Sequence, residues 1–65
     1  MIQPLIKPET DAQRSVLQAC AEAFGYSIDL DWSWQPQDLE NLAFVSTLRG
    51  RADLGKQVRS AFNLN

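Results

Sequence analysis

The sequence predicts a small α+β domain in which three helices pack with one amphipathic strand. Apolar residues recur at helical spacing in three stretches, a fourth stretch alternates with a period of two, and glycine or proline lies between successive stretches. The same pattern allows an alternative, an all-α three-helix domain with an extended crossing segment. The predicted order is an extended arm at 1–8, a helix at 10–24, a strand at 26–34, a helix at 36–48 and a helix at 52–62.

The arm and the first helix are separated by their local chemistry. Pro4 and Pro8 fix the backbone and lack donors, so residues 1–8 are predicted to be extended. Thr10 and Gln13 have the spacing of a capping box, which places a helix start at Thr10. The helix is amphipathic, and a glycine follows it where a left-handed C-cap is needed. Its apolar stripe consists of Ala12, Val16, Cys20 and Phe24, and the glycine is Gly25.

The second and third helices differ in their apolar faces. Pro36 suits the first position of the second helix, and Gly50 is expected to end it. Apolar residues cover so wide an arc of this helix that we expect it to pack on two sides. The third helix carries a single stripe, within which Gly55 is expected to permit close approach of a neighbouring backbone. The wide arc comprises Leu39, Leu42, Ala43, Phe44, Val45 and Leu48, and the single stripe comprises Leu54, Val58, Ala61 and Phe62.

The stretch 26–34 alternates without a break, which is typical of a half-buried strand. A strand of this length needs a hydrogen-bonding neighbour. Three neighbours are open: the arm at 1–8, the same strand of a second copy, or the sheet of another protein. One face would present Tyr26, Ile28, Leu30, Trp32 and Trp34, and the other Ser27, Asp29, Asp31 and Ser33.

Length and composition favour one small cytoplasmic domain spanning residues 1–65. Hydrophobic residues make up 45% of the chain and charged residues 22%, which is ordinary for a globular protein. No apolar run is long enough for a membrane span, and the first residues do not resemble a signal peptide. The net charge of −2 is unevenly distributed: residues 1–45 hold two basic and seven acidic side chains, a net charge of −5, and residues 46–65 hold four basic and one acidic, a net charge of +3.

The residue inventory predicts no catalytic centre, no cofactor and no metal site. The chain has no histidine, and its one cysteine, Cys20, lies on the apolar stripe of the first helix. Without a neighbouring base, this cysteine is expected to act as a small buried hydrophobic residue. A single thiol can form neither an internal disulfide nor the usual zinc ligand set.

These observations predict a non-catalytic protein-binding module, such as a regulator, adaptor, inhibitor or accessory subunit. It would act through an aromatic and acidic strand surface formed by Trp32, Trp34, Asp29 and Asp31. The partner would be another protein or a second copy, with a strand-paired homodimer expected.

The alternative function is a DNA-binding dimer, because strand, helix, turn and helix is the element order of ribbon–helix–helix proteins. The resemblance is one of architecture only. An acidic isoelectric point near 4.7 and two outward aspartates make nucleic acid the less favoured partner. The candidate anion or nucleic-acid contacts are Arg49, Arg51, Lys56 and Arg59.

Overall fold

The computed structural model describes residues 5–64, and within that range the regular elements are three helices. They are α1 (Asp11–Phe24), α2 (Pro36–Leu48) and α3 (Ala52–Phe62). All three predicted helices are confirmed, and the only difference in bounds is that Thr10 caps α1 rather than belonging to it. Of the predicted arm, residues 1–4 lie outside the described range, and residues 5–8 are not helical.

The ends of the helices follow from their local sequence. The Thr10 hydroxyl accepts a hydrogen bond from the Gln13 backbone N–H at 3.1 Å, and the Gln13 side-chain oxygen accepts one from the Thr10 N–H at 3.2 Å. This reciprocal pair is the predicted capping box. Gly25 takes the left-handed conformation that ends α1, with φ of 74°. At the start of α2, the Asp38 carboxylate accepts from the Gln35 N–H at 3.2 Å.

The core lies where α3 packs against both α1 and α2. The Gln13 side chain adds a polar link between distant parts of the chain, because its Nε2 donates to the Ala61 carbonyl at 3.0 Å. One side chain therefore serves the start of α1 and the end of α3. The buried apolar cluster comprises Val16, Leu17, Cys20, Leu39, Ala43, Leu54, Val58, Phe62 and Leu64.

Gly55 permits the close packing of α3 on α2, as its position predicted. A Cβ atom at Gly55 would lie 2.8 Å from the Ala43 carbonyl oxygen and 2.5 Å from Thr47 Oγ1. The first of these atoms belongs to the backbone and cannot rotate away. A side chain at residue 55 would therefore push the two helices apart.

The predicted strand over 26–34 is wrong, and with it the α+β fold class. Among residues 5–64 the only β pairing is an isolated antiparallel bridge, in which Ile6 and Trp34 exchange two N–H···O bonds of 2.7 Å. A turn interrupts the rest: the Asp29 carbonyl accepts from the Trp32 N–H at 3.2 Å, and Asp29 Oδ1 accepts from the Asp31 N–H at 2.9 Å. A short polar side chain that bonds its own backbone competes with strand pairing.

The structure fits the alternative interpretation, an all-α domain with an extended crossing segment. The alternation nevertheless predicted part of the burial, because Ile28, Leu30 and Trp34 pack against the core. Tyr26 and Trp32 do not follow it and are exposed. Since the segment is not a strand, the strand-paired homodimer expected from the sequence loses its structural basis.

Candidate binding surface

Of the four residues predicted to form a partner-binding surface, Trp32 and Asp31 line one groove, whereas Trp34 lines another. Trp32 is 61% exposed and lines a shallow groove with Leu5 and Asp31. Trp34 is half-buried against the core, and Asp29 lies in the turn that precedes both tryptophans. The predicted surface is therefore only partly formed, because Trp34 does not share the groove of Trp32 and Asp31.

Trp34 lies in a second groove, where the crossing segment meets α2. Tyr26, Leu42 and Val45 line this groove with it, and Asp38 lies at its edge. The indole Nε1 of Trp34 is buried and finds no acceptor among residues 5–64. This groove joins the crossing segment to the exposed side of α2.

The basic residues near the last two helices make separate contacts. The Arg49 guanidinium lies over the Phe24 ring, 5.5 Å from its centroid. Arg51 makes two hydrogen bonds of 3.1 Å to the Asp53 carboxylate. Arg59 Nη1 donates to the Leu64 carbonyl at 3.1 Å, and Lys56 is exposed on α3. Two of the four thus bond groups on their own chain, which weakens the predicted anion site.

A group of three exposed apolar side chains lies on α2, outside the residues that the sequence predicted to bind a partner. Phe44 is 59% exposed, Val45 40% and Leu48 69%. These three residues, called here the α2 apolar face, lie at i, i+1 and i+4 on the side opposite the buried Leu39 and Ala43. The signal was present in the wide apolar arc, which predicted packing on two sides. Within the described range, the side that carries these three residues remains exposed.

Opposite charges lie near the two ends of the α2 apolar face. Asp38 is in the first turn of the helix and Arg49 immediately follows its last residue. Both side chains are exposed. Their separation of eleven residues corresponds to about 16 Å along the helix axis. The exposed side of α2 therefore has an acidic end, an apolar part and a basic end.

The only thiol is enclosed in the core. Cys20 is fully buried, and its Sγ lies 3.9 Å from the Ser46 hydroxyl, which itself donates to the Leu42 carbonyl at 2.8 Å. Desolvation by burial raises the pKa of the Cys20 thiol, although the Ser46 contact opposes this shift. The group is consequently a neutral thiol at pH 7, with little of the thiolate that nucleophilic chemistry needs.

We expect Cys20 in the native protein to react with a thiol reagent about 100-fold or more slowly than in urea-unfolded chain, because reaction requires opening of the core. Labelling followed by mass spectrometry measures this rate. Ser60→Cys supplies the control, since residue 60 is exposed and its thiol should react immediately. Equally rapid labelling of Cys20 and residue 60 would contradict the buried placement.

Neither a metal-binding cluster nor a membrane-spanning helix is found in the described part of the chain. Residues 5–64 contain no group of three or more acidic or cysteine side chains placed to hold a metal ion. No helix in this range combines the length and the apolar composition that crossing a bilayer requires. Comparisons of the chain with models of protein families, with curated proteins and with solved structures found no match.

Proposed function

We propose that this protein is a small non-catalytic module that binds another polypeptide through the α2 apolar face. The observation that carries the proposal is the exposure of Phe44, Val45 and Leu48 on a helix whose opposite side already forms the core. Large apolar side chains grouped on one surface mark contact sites, because covering them removes apolar area from water. The proposed binding site is therefore the α2 apolar face, and no longer the acidic and aromatic surface expected from the sequence.

The residues available for chemistry support a binding role over catalysis. The chain has no histidine to act as a base, and its one thiol is buried and neutral. The groove between α1 and α3 is lined by small or amide side chains, such as Ala12, Ser15 and Gln57. These groups offer surface for contact but no nucleophile paired with a base.

The alternative of a ribbon–helix–helix DNA-binding dimer has lost the feature that favoured it. Its ribbon required a strand at 26–34, and that segment is a turn-containing crossing in the structure. The arginines that would contact phosphate are partly engaged, as in the Arg51–Asp53 pair. We therefore propose protein binding alone.

Affinity capture with matched variants tests the proposed function. We expect the tagged wild-type chain to retain a specific polypeptide, and Leu48→Glu to lose it, because a charge in the contact would have to be desolvated. Trp32→Glu is the control, since Trp32 is similarly exposed but lies on the crossing segment. Differently tagged copies of the chain are included, so that self-association is counted as a result.

The proposed surface is wrong if Leu48→Glu retains everything that the wild-type chain retains. It is also wrong if Trp32→Glu loses the same polypeptide while remaining helical by circular dichroism. Loss with Leu48→Glu alone, at unchanged helix content, supports it.

A further inference from the structure

We propose that the occupant of the α2 apolar face is α2 of a second copy, packed antiparallel about a two-fold axis. This inference rests on the proposed function, because it names the polypeptide that the face binds. It also places the self-association on a helix rather than on the crossing segment at 26–34.

The spacing of exposed residues along α2 suits a helix pair. Gln37, Asn41, Phe44 and Leu48 follow at intervals of four, three and four residues, which is the seam of a two-helix contact. The two amides already bond each other, with Gln37 Nε2 donating to Asn41 Oδ1 at 3.1 Å. Polar side chains in one half of a seam reduce the affinity and set the register rather than prevent pairing.

The charges at the ends of α2 select a second copy in antiparallel orientation. The midpoint between Asp38 and Arg49 lies beside Phe44. A two-fold axis at that point brings Asp38 of each copy to Arg49 of the other, at both ends of the contact, and brings the two Phe44 rings together at the axis. A parallel pair would instead set Asp38 against Asp38 and Arg49 against Arg49, which repel.

Both charged groups remain able to make such contacts. One oxygen of the Asp38 carboxylate accepts from the Gln35 N–H, and a carboxylate has further acceptor sites. Arg49 is exposed, and its guanidinium carries five N–H donors, so contact with the face of the Phe24 ring leaves donors available for a carboxylate. An Asp38–Arg49 pair between copies therefore requires no loss of the contacts described within one copy.

The size of the surface limits the affinity. The described chain exposes 4531 Å² in total. A standard stable interface covers about 800 Å² on each partner, and one short helix face supplies less than that. We therefore expect a reversible dimer with a dissociation constant in the micromolar range, on the order of 10–100 μM.

Sedimentation equilibrium over a concentration series tests the proposal. The wild-type mass should rise from the 7.3 kDa of one chain toward twice that value as concentration passes through the dissociation constant. Phe44→Glu and Leu48→Glu should remain at the mass of one chain over the same range, with unchanged helix content. Trp32→Glu is the matched control and should dimerise like the wild-type chain.

Charge reversal tests the orientation. Asp38→Lys alone should weaken the dimer at least tenfold, because residue 38 would then face Arg49 of the second copy, and Arg49→Glu alone should do the same. An equimolar mixture of the two variants should recover a heterodimer, since both charge reversals together restore an attractive contact. In a parallel pair each single change would only replace one pair of like charges by another, and the affinity would stay the same. An unchanged affinity therefore overturns the antiparallel arrangement.

The outcomes separate this inference from the proposed function. A wild-type chain that stays at 7.3 kDa throughout, while a different polypeptide is captured in a Leu48-dependent manner, overturns self-association and leaves the proposed function intact. A monomeric chain with no Leu48-dependent partner overturns both. A dimer that Trp32→Glu disrupts and Leu48→Glu does not would place the contact on the crossing segment and overturn the α2 pair.

Discussion

Leu39→Ala is expected to leave much of the protein unfolded at 25 °C. Leu39 lies on the buried side of α2, is 0% exposed and belongs to the apolar core. Removing a fully buried leucine side chain lowers the free energy of unfolding by about 2–5 kcal/mol, through lost burial and the cavity that remains. A domain of this size has only a few kcal/mol of net stability, so the loss is comparable with the whole.

Phe44→Ala on the same helix provides the control for this experiment. Phe44 is the larger residue, but it is 59% exposed, and its truncation should change the free energy of unfolding by about 0.5 kcal/mol or less in dilute protein. Urea denaturation followed by circular dichroism, at a concentration below dimer formation, measures both variants. Equal destabilisation by the two changes would show that the sides of α2 are not assigned correctly.

Gly55→Ala should destabilise the protein even though alanine is the better helix former. Intrinsic helix propensity alone would favour alanine over glycine by about 1 kcal/mol. The added methyl group, however, would lie 2.8 Å from the Ala43 carbonyl oxygen, and separating the helices costs about 1–3 kcal/mol or more. We expect a net loss of about 1–2 kcal/mol in the free energy of unfolding.

Two variants make the Gly55 prediction sharper. Ser60→Ala, at an exposed position of α3, should be neutral or slightly stabilising, since only propensity acts there. Thr47→Ala removes the hydroxyl that lies 2.5 Å from the added Cβ, but not the Ala43 backbone. Combined with Gly55→Ala, it should therefore recover only part of the loss. A Gly55→Ala protein as stable as the wild type would show that the helices separate at no cost.

The helices were predictable because the signals that define them are local. The Thr10–Gln13 box, the glycine after Phe24 and the proline at residue 36 each act within one turn of chain. The close approach at Gly55 could also be inferred, because a glycine within an amphipathic stripe weakens the helix but lets a neighbouring backbone come near. The bounds of the helices are therefore set by these local residues, and packing between distant parts of the chain did not change them.

The absence of a strand at 26–34 was not predictable from the alternation. An alternating pattern indicates which side chains of an extended segment face the core, but it does not show which groups its backbone hydrogen-bonds. Ile28, Leu30 and Trp34 do face the core, so the pattern was informative about burial. Asp29 turns the chain, and the arm pairs at Ile6 alone within the described residues. The candidate surface on α2 was visible only as an excess of apolar residues. Which of them the core would use depends on how α3 packs.

The hydrogen bond from Gln13 to the Ala61 carbonyl ties together residues 48 positions apart. The same side chain also accepts from the Thr10 N–H in the capping box of α1. The start of the first helix and the end of the last are therefore linked through one amide group. Because closing a loop of this length costs entropy, we expect the contact to form only together with the packing of the helices. Amide protons near the start of α1 should therefore exchange with solvent in step with those near the end of α3, as a single opening event.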